Sequence, residues 1–433
     1  MRLSLFVTVC ITGLVATFGM ANATSADSEK VLYTFCVPHC STGGAPSGDL
    51  VLDQAGNLYG TTYQGGTNRN GEIQYGGGVV FEYAAGTGQF TVLYDFCNQT
   101  LCTDGATPDR VKLVVDTAGN LYGTTSKGGN SSGGGVVFEV VHGQAGWTEN
   151  ILYTFCRNEN SGCKDGGSSH EGLTYAGAAG GQTYDGTSPL YGTTEGGGAN
   201  GNGTLFALTP ENGGTKWKER VLYSFCSQNN CTDGRNPNTP LFLDSLGNFY
   251  GTTPYGGQFA QGTVFEITPN GTAYSESVLY SFCAQSQCVD GENPFSGVVM
   301  DGAGNLFGTT DYGGSVAKGA LFELSPNGSQ WTYNVLQSFD GSDGEFPYSD
   351  LIIDADGNLF GTTAQGGAHE RKSGTVFEFN GGLQTLYSFC SLSKCADGKL
   401  PLGGVIEDST GNLFGLTSGN VHDRDSTLYE LSP

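Results

Sequence analysis

Gly56-Asn57-Leu58-Tyr59-Gly60-Thr61-Thr62 is the phrase that decides the fold, because the chain keeps returning to it. It recurs around Gly123, Gly251, Gly308 and Gly361, and in degenerate form around Gly192 and Gly415. A Val-Phe-Glu phrase follows each copy, centred on Phe81, Phe138, Phe206, Phe265, Phe322, Phe377 and Tyr429. A Leu-Tyr-Ser-Phe-Cys phrase completes the unit at Phe35, Phe96, Phe155, Phe225, Phe282, Phe339 and Phe389. Self-similarity at a period of 50 to 70 residues points to an array, solenoid or propeller.

Each unit reads as four short strands. In the first, residues 50–53 form an apolar run, 54–57 a turn, and 58–62, 79–83 and 90–96 three further strands. These runs are rich in aromatic and β-branched residues and bounded by Gly, Asn and Asp. Glycine makes up 72 of 433 residues, against a usual share of about 7%, as tight turns and close backbone approaches require. The expectation is an all-β, seven-bladed β-propeller of four-stranded blades. Phase supports it: the mature chain opens on a fourth-strand phrase (31–35) and ends just after a third-strand phrase (428–431). The N-terminal strand is therefore expected to join the last blade and close the ring, removing an open sheet edge.

Residues 1–23 read as a signal peptide: Arg2, an apolar run from Leu3 to Phe18, and an Ala21-Asn22-Ala23 cleavage site. The propeller domain is then 24–433, secreted and extracellular, with no membrane insertion. Losing the leader removes Arg2 and no acid, so 17 basic against 42 acidic residues leave −25. That charge argues against nucleic acid as a partner. A monomer is expected.

Twelve cysteines of the mature chain fall into six local pairs: Cys36/Cys40, Cys97/Cys102, Cys156/Cys163, Cys226/Cys231, Cys283/Cys288 and Cys390/Cys395. The loop after Phe339 lacks both members, as a disulfide inside each loop predicts. A zinc site would need four ligands from one loop, and His39 is the only histidine nearby.

The cysteine loops end in Asp-Gly at Asp104, Asp165, Asp233, Asp290, Asp343 and Asp397. These acids are either a calcium-binding rim or braces for their own loops. Calcium is thus possible as a ligand, and no other cofactor is expected. The first-strand acids (Asp53, Asp116, Asp244, Asp301, Asp354, Asp408) read as turn openers, and their spacing is not that of an EF-hand loop.

The second-to-third-strand loops share a face with the cysteine loops and carry residues that do not repeat. Tyr63, Arg69, Tyr255, Tyr312, His369, Arg371, His422 and Asp423 are the candidates for ligand binding. Aromatics among polar groups suit a glycan or protein surface. The third unit departs most. Its first hairpin expands over 173–189, with His170 and Glu171 just ahead of it, and loop insertions of this kind are often merely tolerated. Trp147, Trp217 and Trp331 sit equivalently in three units and read as packing residues. No zinc-protease, phosphate-loop or dinucleotide motif is present. Gly129-Asn130-Ser131-Ser132-Gly133 lies between strands rather than on a nucleophile elbow. Catalytic residues stay unassigned, since no carboxylate spacing singles out a pair.

The long phrase at Asp301–Thr310 with Gly319–Glu323 resembles the Gloeobacter/Verrucomicrobia (GloVer) tandem repeat of secreted and surface-anchored bacterial proteins. The resemblance covers nearly all of the mature chain and implies an extracellular repeat protein with a propeller fold. It carries over no site residue. Many such proteins end in a sorting anchor, whereas this chain ends at Leu431-Ser432-Pro433, which favours release. The leading functional expectation is a non-catalytic binding module for extracellular glycan or protein. A polysaccharide-active hydrolase or lyase and a structural envelope or matrix component are the alternatives.

Overall fold

A computed structural model describes residues 28–35, 41–68, 75–144, 146–157, 162–369, 373–419 and 426–433. The chain forms seven four-stranded antiparallel sheets, a seven-bladed β-propeller. Blade one is Val51–Leu52, Leu58–Thr62, Val79–Ala84 and Gln89–Asp95, paired in chain order. Blades two to six repeat this over 114–154, 174–224, 242–281, 299–338 and 352–388. Blade seven combines Val405–Glu407, Leu413–Leu416 and Ser426–Ser432 with Ser28–Phe35, which pairs antiparallel along Ser426–Ser432. No helix among the described residues is long and apolar enough to cross a membrane.

The repeated phrases explain the packing. The phenylalanine closing one blade's fourth strand meets the Val-Phe-Glu ring of the next edge to face. Phe96 meets Phe138 at 5.0 Å, Phe225 meets Phe265 at 5.1 Å, and Phe339 meets Phe377 at 5.3 Å. Phe35 makes the same contact with Phe81 at 5.4 Å, linking blade seven to blade one. Such pairs contribute about 0.5–1.5 kcal/mol each beyond the area they bury. The glycine of Gly-Thr-Thr leaves room for the ring: a Cβ on Gly60 would lie 2.7 Å from Phe81 Cζ and 3.0 Å from Leu50 Cδ2. The core is therefore a set of inter-blade clusters rather than one central mass.

Threonine hydroxyls tie the blades together. Thr124 Oγ1 donates to the Glu171 carbonyl at 2.8 Å, Thr252 Oγ1 to that of Ser296 at 2.7 Å, and Thr309 Oγ1 to that of Pro347 at 3.0 Å. Each bond runs from one blade's second strand to the segment leading into the next blade's first strand. Those segments surround the axis. The turn acids do what the spacing predicts: Asp53 accepts from Ala55 N, Asn57 N and Asn57 Nδ2 at 2.8–2.9 Å, and Asp116, Asp244, Asp301, Asp354 and Asp408 repeat the pattern.

Disulfides close five of the cysteine loops: Cys97–Cys102, Cys156–Cys163, Cys226–Cys231, Cys283–Cys288 and Cys390–Cys395. Cys36 and Cys40 lie outside the described residues, as does the proposed leader. Trp147, Trp217 and Trp331 are half-buried against inter-blade clusters.

Candidate functional site

In most blades a proline follows the cysteine loop: Pro46, Pro108, Pro237, Pro294, Pro347 and Pro401, with Ser169 at the third. The next residue differs in every blade. Ser47, Asp109, His170, Asn238, Phe295 and Tyr348 occupy that column in the first six. The propeller brings these positions, some 60 residues apart in sequence, side by side at the axial mouth of the cysteine face. Ser47 Oγ donates to Asp109 Oδ1 at 2.9 Å, Asp109 Oδ2 is 3.2 Å from His170 Nδ1, and Phe295 stacks on Tyr348 with ring centroids 5.0 Å apart.

Blade two carries one residue more than its neighbours between this proline and its first strand. Arg110 fits the extra position in a left-handed backbone conformation, φ +52°, costing about 1 kcal/mol or more for a residue with a Cβ. The bulge sends its guanidinium across the mouth. Its Nε lies 3.4 Å from Glu171 Oε1, its Cζ lies 5.1 Å from the Tyr348 ring centroid, and Nη1 is buried without a hydrogen-bond partner.

His170 is held from both sides, by Asp109 and by Glu195 Oε2 at 3.0 Å from Nε2. Burial alone would lower its pKa, but these two carboxylates raise it. Glu195 is lowered in return, first by its hydrogen bond to His170. Asp109 is lowered too: burial pushes it up, and His170 and Arg110 overcome that. Glu171 goes the other way, well above the usual carboxylate range, because burial and the carboxylates Asp350, Asp109 and Asp49 outweigh Arg110.

Beneath the mouth, Asp49, Lys112 and Asp350 carry charge at a column where the other blades have Gly or Pro. Asp49 Oδ1 accepts from Gly404 N at 2.6 Å, and Asp350 Oδ1 accepts from Gly297 N at 2.7 Å, so each acid clips its blade to the preceding one. Burial pushes Asp350 up to about 7, and Asp49 adds to this.

The mouth is two-sided. Blades one to three supply the ionic network above. Blades four to six supply rings: Tyr255 stands edge-on to Phe295 at 6.0 Å, Arg235 lies 5.7 Å from the Tyr255 centroid, and Tyr312 meets Phe346 at 5.1 Å. Asn238 Oδ1 and Asp311 Oδ1 are buried there without partners, and burial pushes Asp311 up to about 7.

Among the loop residues expected to bind ligand, Tyr63, Tyr255 and Tyr312 stand around this mouth. Tyr63 is half-buried, its pKa raised by burial and by Asp109. Tyr255 and Tyr312 are 37% and 42% exposed. His369 is partly buried in the loop before Thr375–Phe379 of blade six. Arg69, Arg371, His422 and Asp423 lie outside the described residues. Asp109, Arg110, Asn238 and Tyr348 were not singled out by sequence. Their signal is the one unrepeated column after a repeated proline.

The loop acids brace their own loops. Asp104 accepts from Asn98 N, Gln99 N and Tyr94 OH at 2.8–3.2 Å, and Asp165, Asp233, Asp290 and Asp397 each accept a tyrosine hydroxyl and loop N–H groups in the same way. Asp343, in the loop without cysteines, accepts from Gln337 Nε2 and Asp340 N. Donors occupying both oxygens of a buried carboxylate compete with a cation. Among the described residues, the one close group of metal-type ligands is Cys283, Cys288 and Glu292, and its two sulfurs form a disulfide.

The expanded hairpin of blade three folds against the opposite, turn-bearing face. Tyr184 is fully buried, edge-on to Tyr122 at 5.2 Å, and its carbonyl accepts from Thr117 N at 3.0 Å. The expansion is thus a packed element rather than a tolerated loop tip.

A search of curated proteins finds no match. Among solved structures, the extracellular domain of a protein described as a one-component system from B. thetaiotaomicron aligns over 93% of this chain at 10% identity with a TM-score of 0.52. The chain spans 40% of the length of that protein. A Bacteroides fragilis protein described as a 6-phosphogluconolactonase aligns over 91% of this chain and 89% of its own at 12% identity, TM-score 0.44. A Thermus protein described as a glucose dehydrogenase aligns over 83% of this chain and 100% of its own at 13% identity, TM-score 0.44. The first of these likenesses bears on the fold alone. The model of the Gloeobacter/Verrucomicrobia repeat matches residues 16–188, 178–352 and 277–433. The chain belongs to the Gloeobacter/Verrucomicrobia repeat family.

Proposed function

We propose that the protein is an extracellular glycan-binding module whose site is the axial mouth of the cysteine face. One observation carries the reading. Three buried polar atoms at this mouth, Arg110 Nη1, Asn238 Oδ1 and Asp311 Oδ1, lack partners, and they sit beside the Phe295–Tyr348 ring pair. Buried polar groups cost free energy until they are hydrogen-bonded. A sugar offers hydroxyl donors and acceptors on one side and an apolar C–H face for an aromatic ring on the other. Exposed Tyr255, Phe259 and Tyr312 continue the aromatic surface outward over blades four and five, as a chain longer than one sugar would use. The five disulfides suit a secreted protein.

The test is retention of the mature protein on a panel of insoluble and immobilised polysaccharides, with and without calcium, while the supernatant is assayed for released sugar. Retention that falls at least tenfold in Tyr348→Ala is the expected result. Equal retention of wild type and variant, or none on any glycan, would overturn the reading.

A second reading, polysaccharide cleavage, draws on the His170 constellation. A histidine gripped by two carboxylates, next to a buried Glu171 whose pKa burial pushes well above the usual carboxylate range, has the make-up of an acid–base pair. Sugar release by wild type that is lost in His170→Gln would favour it. Retention without release favours the module.

A further inference from the structure

Behind the mouth, the propeller axis opens into a cavity of about 660 Å³. Its walls are the first strands of blades one to five and the segments leading into them, with Asp350 and Leu351 ahead of blade six, and Val51, Val114, Leu173, Leu241, Val298 and Val299 are among the apolar lining. Its outer end is narrowed by the blade-three expansion, whose segment 178–183 lines the space. Tyr184 anchors that segment to blade two, and the short turn Ala178–Gly180 lies against Phe242–Leu243 of blade four. Among the described residues, only this blade carries such a cover. Its inner end is the floor formed by Lys112 and Asp350, and Asp350 borders both this cavity and the mouth.

We infer that this cavity is a second ligand site, distinct from the mouth, which takes an apolar small molecule bearing one anionic group, with the anion against Lys112. The volume falls within the range of small-molecule sites, and the first-strand valines and leucines give it an apolar wall between polar ends. Lys112 is solvent-exposed within the lumen and makes no hydrogen bond or ion pair among the described residues. Its neighbours Asp49 and Asp350 each accept a backbone N–H from the adjoining blade. Burial raises both, Asp350 to about 7. Lys112 is the one basic side chain among the described residues that line the cavity. At the outer rim, the carboxylates of Asp53 and Asp116 are taken up by their own turns.

The probe is 1-anilinonaphthalene-8-sulfonate, an apolar body with one sulfonate, titrated by fluorescence into the mature protein at pH 5.5. Saturable binding near one site per chain is expected. Lys112→Met should weaken it at least tenfold, and N-phenyl-1-naphthylamine, the same body without the sulfonate, should bind about tenfold more weakly than the sulfonate. Val299→Trp, which fills the lumen, should abolish binding, while Tyr348→Ala and Phe259→Ser on the other face should leave it within twofold. Each variant's melting temperature reports whether it folds. If Val299→Trp fails to fold, the exposed Lys112→Met decides. No saturable binding, or binding unchanged in Lys112→Met, would overturn the inference.

Discussion

Raising the pH should unfasten this propeller from its rim inward. Four outer-strand glutamates, Glu29, Glu149, Glu219 and Glu276, each face the braced aspartate of the cysteine loop leading into their own blade: Asp397, Asp104, Asp165 and Asp233. Burial, reinforced by that aspartate, pushes Glu29 and Glu219 up to about 7 and Glu149 and Glu276 up to about 8. Each has at least one buried carboxyl oxygen without a hydrogen-bond partner. A folded-state pKa above the unfolded value means that the native state holds the proton more tightly. The contribution is therefore fully present below about 4.5 and is lost as pH rises through about 7 to 8. At 1.36 kcal/mol per pH unit, displacements of this size from the usual glutamate value would be about 3–5 kcal/mol each. These side chains keep some contact with water, so screening reduces this to about 1–2 kcal/mol each. The four together then remove about 4–8 kcal/mol between pH 5 and 9, a fall in melting temperature on the order of 10 °C. Asp350 and Asp311, both near 7, add in the same direction. Calorimetry from pH 5 to 9 measures the slope, and Glu149→Gln with Glu276→Gln isolates the cause, because glutamine imitates the protonated acid. The double variant should melt several degrees above wild type at pH 8.5 and within about 2 °C of it at pH 5. A wild-type melting temperature that rises from pH 5 to 8.5, or a double variant with an unchanged slope, would refute the reasoning.

Three further outcomes follow from the packing. Gly60→Ala places a Cβ 2.7 Å from Phe81 Cζ and should cost about 1–3 kcal/mol in denaturant unfolding, as overpacking does. Replacing Cys97 and Cys102 by alanine opens one short loop. It should cost about 2 kcal/mol by the loop-entropy argument, with glycan retention at the mouth unchanged. Tyr184→Ala removes a fully buried ring that fastens the blade-three expansion. It should cost about 3–5 kcal/mol and weaken anilinonaphthalenesulfonate binding, while retention on glycan stays the same.

The fold was legible because a propeller writes its interfaces into its repeats. Gly60, Phe81 and Phe96 recur because every blade needs the same ring at the same junction, and Asp53 recurs because every first hairpin needs the same turn. The mouth obeys the opposite rule. Seven copies of one side chain around an axis would crowd or repel one another, and the asymmetric ligand proposed for the mouth would require the column after the proline to differ from blade to blade. Ser47, Asp109, His170, Asn238, Phe295 and Tyr348 satisfy that requirement, yet no local pattern joins residues some 60 positions apart. Loop polarity pointed, through Tyr63, Tyr255 and Tyr312, to the face that bears the mouth, but overlooked the inward column. His170 and Glu171 were noticed only because they flank the expanded hairpin, which itself belongs to the opposite face. Arg110 is the sharpest case. One extra residue in blade two breaks the spacing that its neighbours keep, holds a backbone angle that disfavours a side chain, and delivers a guanidinium with an unpartnered Nη1. The inserted arginine pairs with Glu171 and lies over Tyr348, yet it strains the backbone and leaves a buried donor open. That open donor is the feature of the insertion on which the proposed ligand site draws.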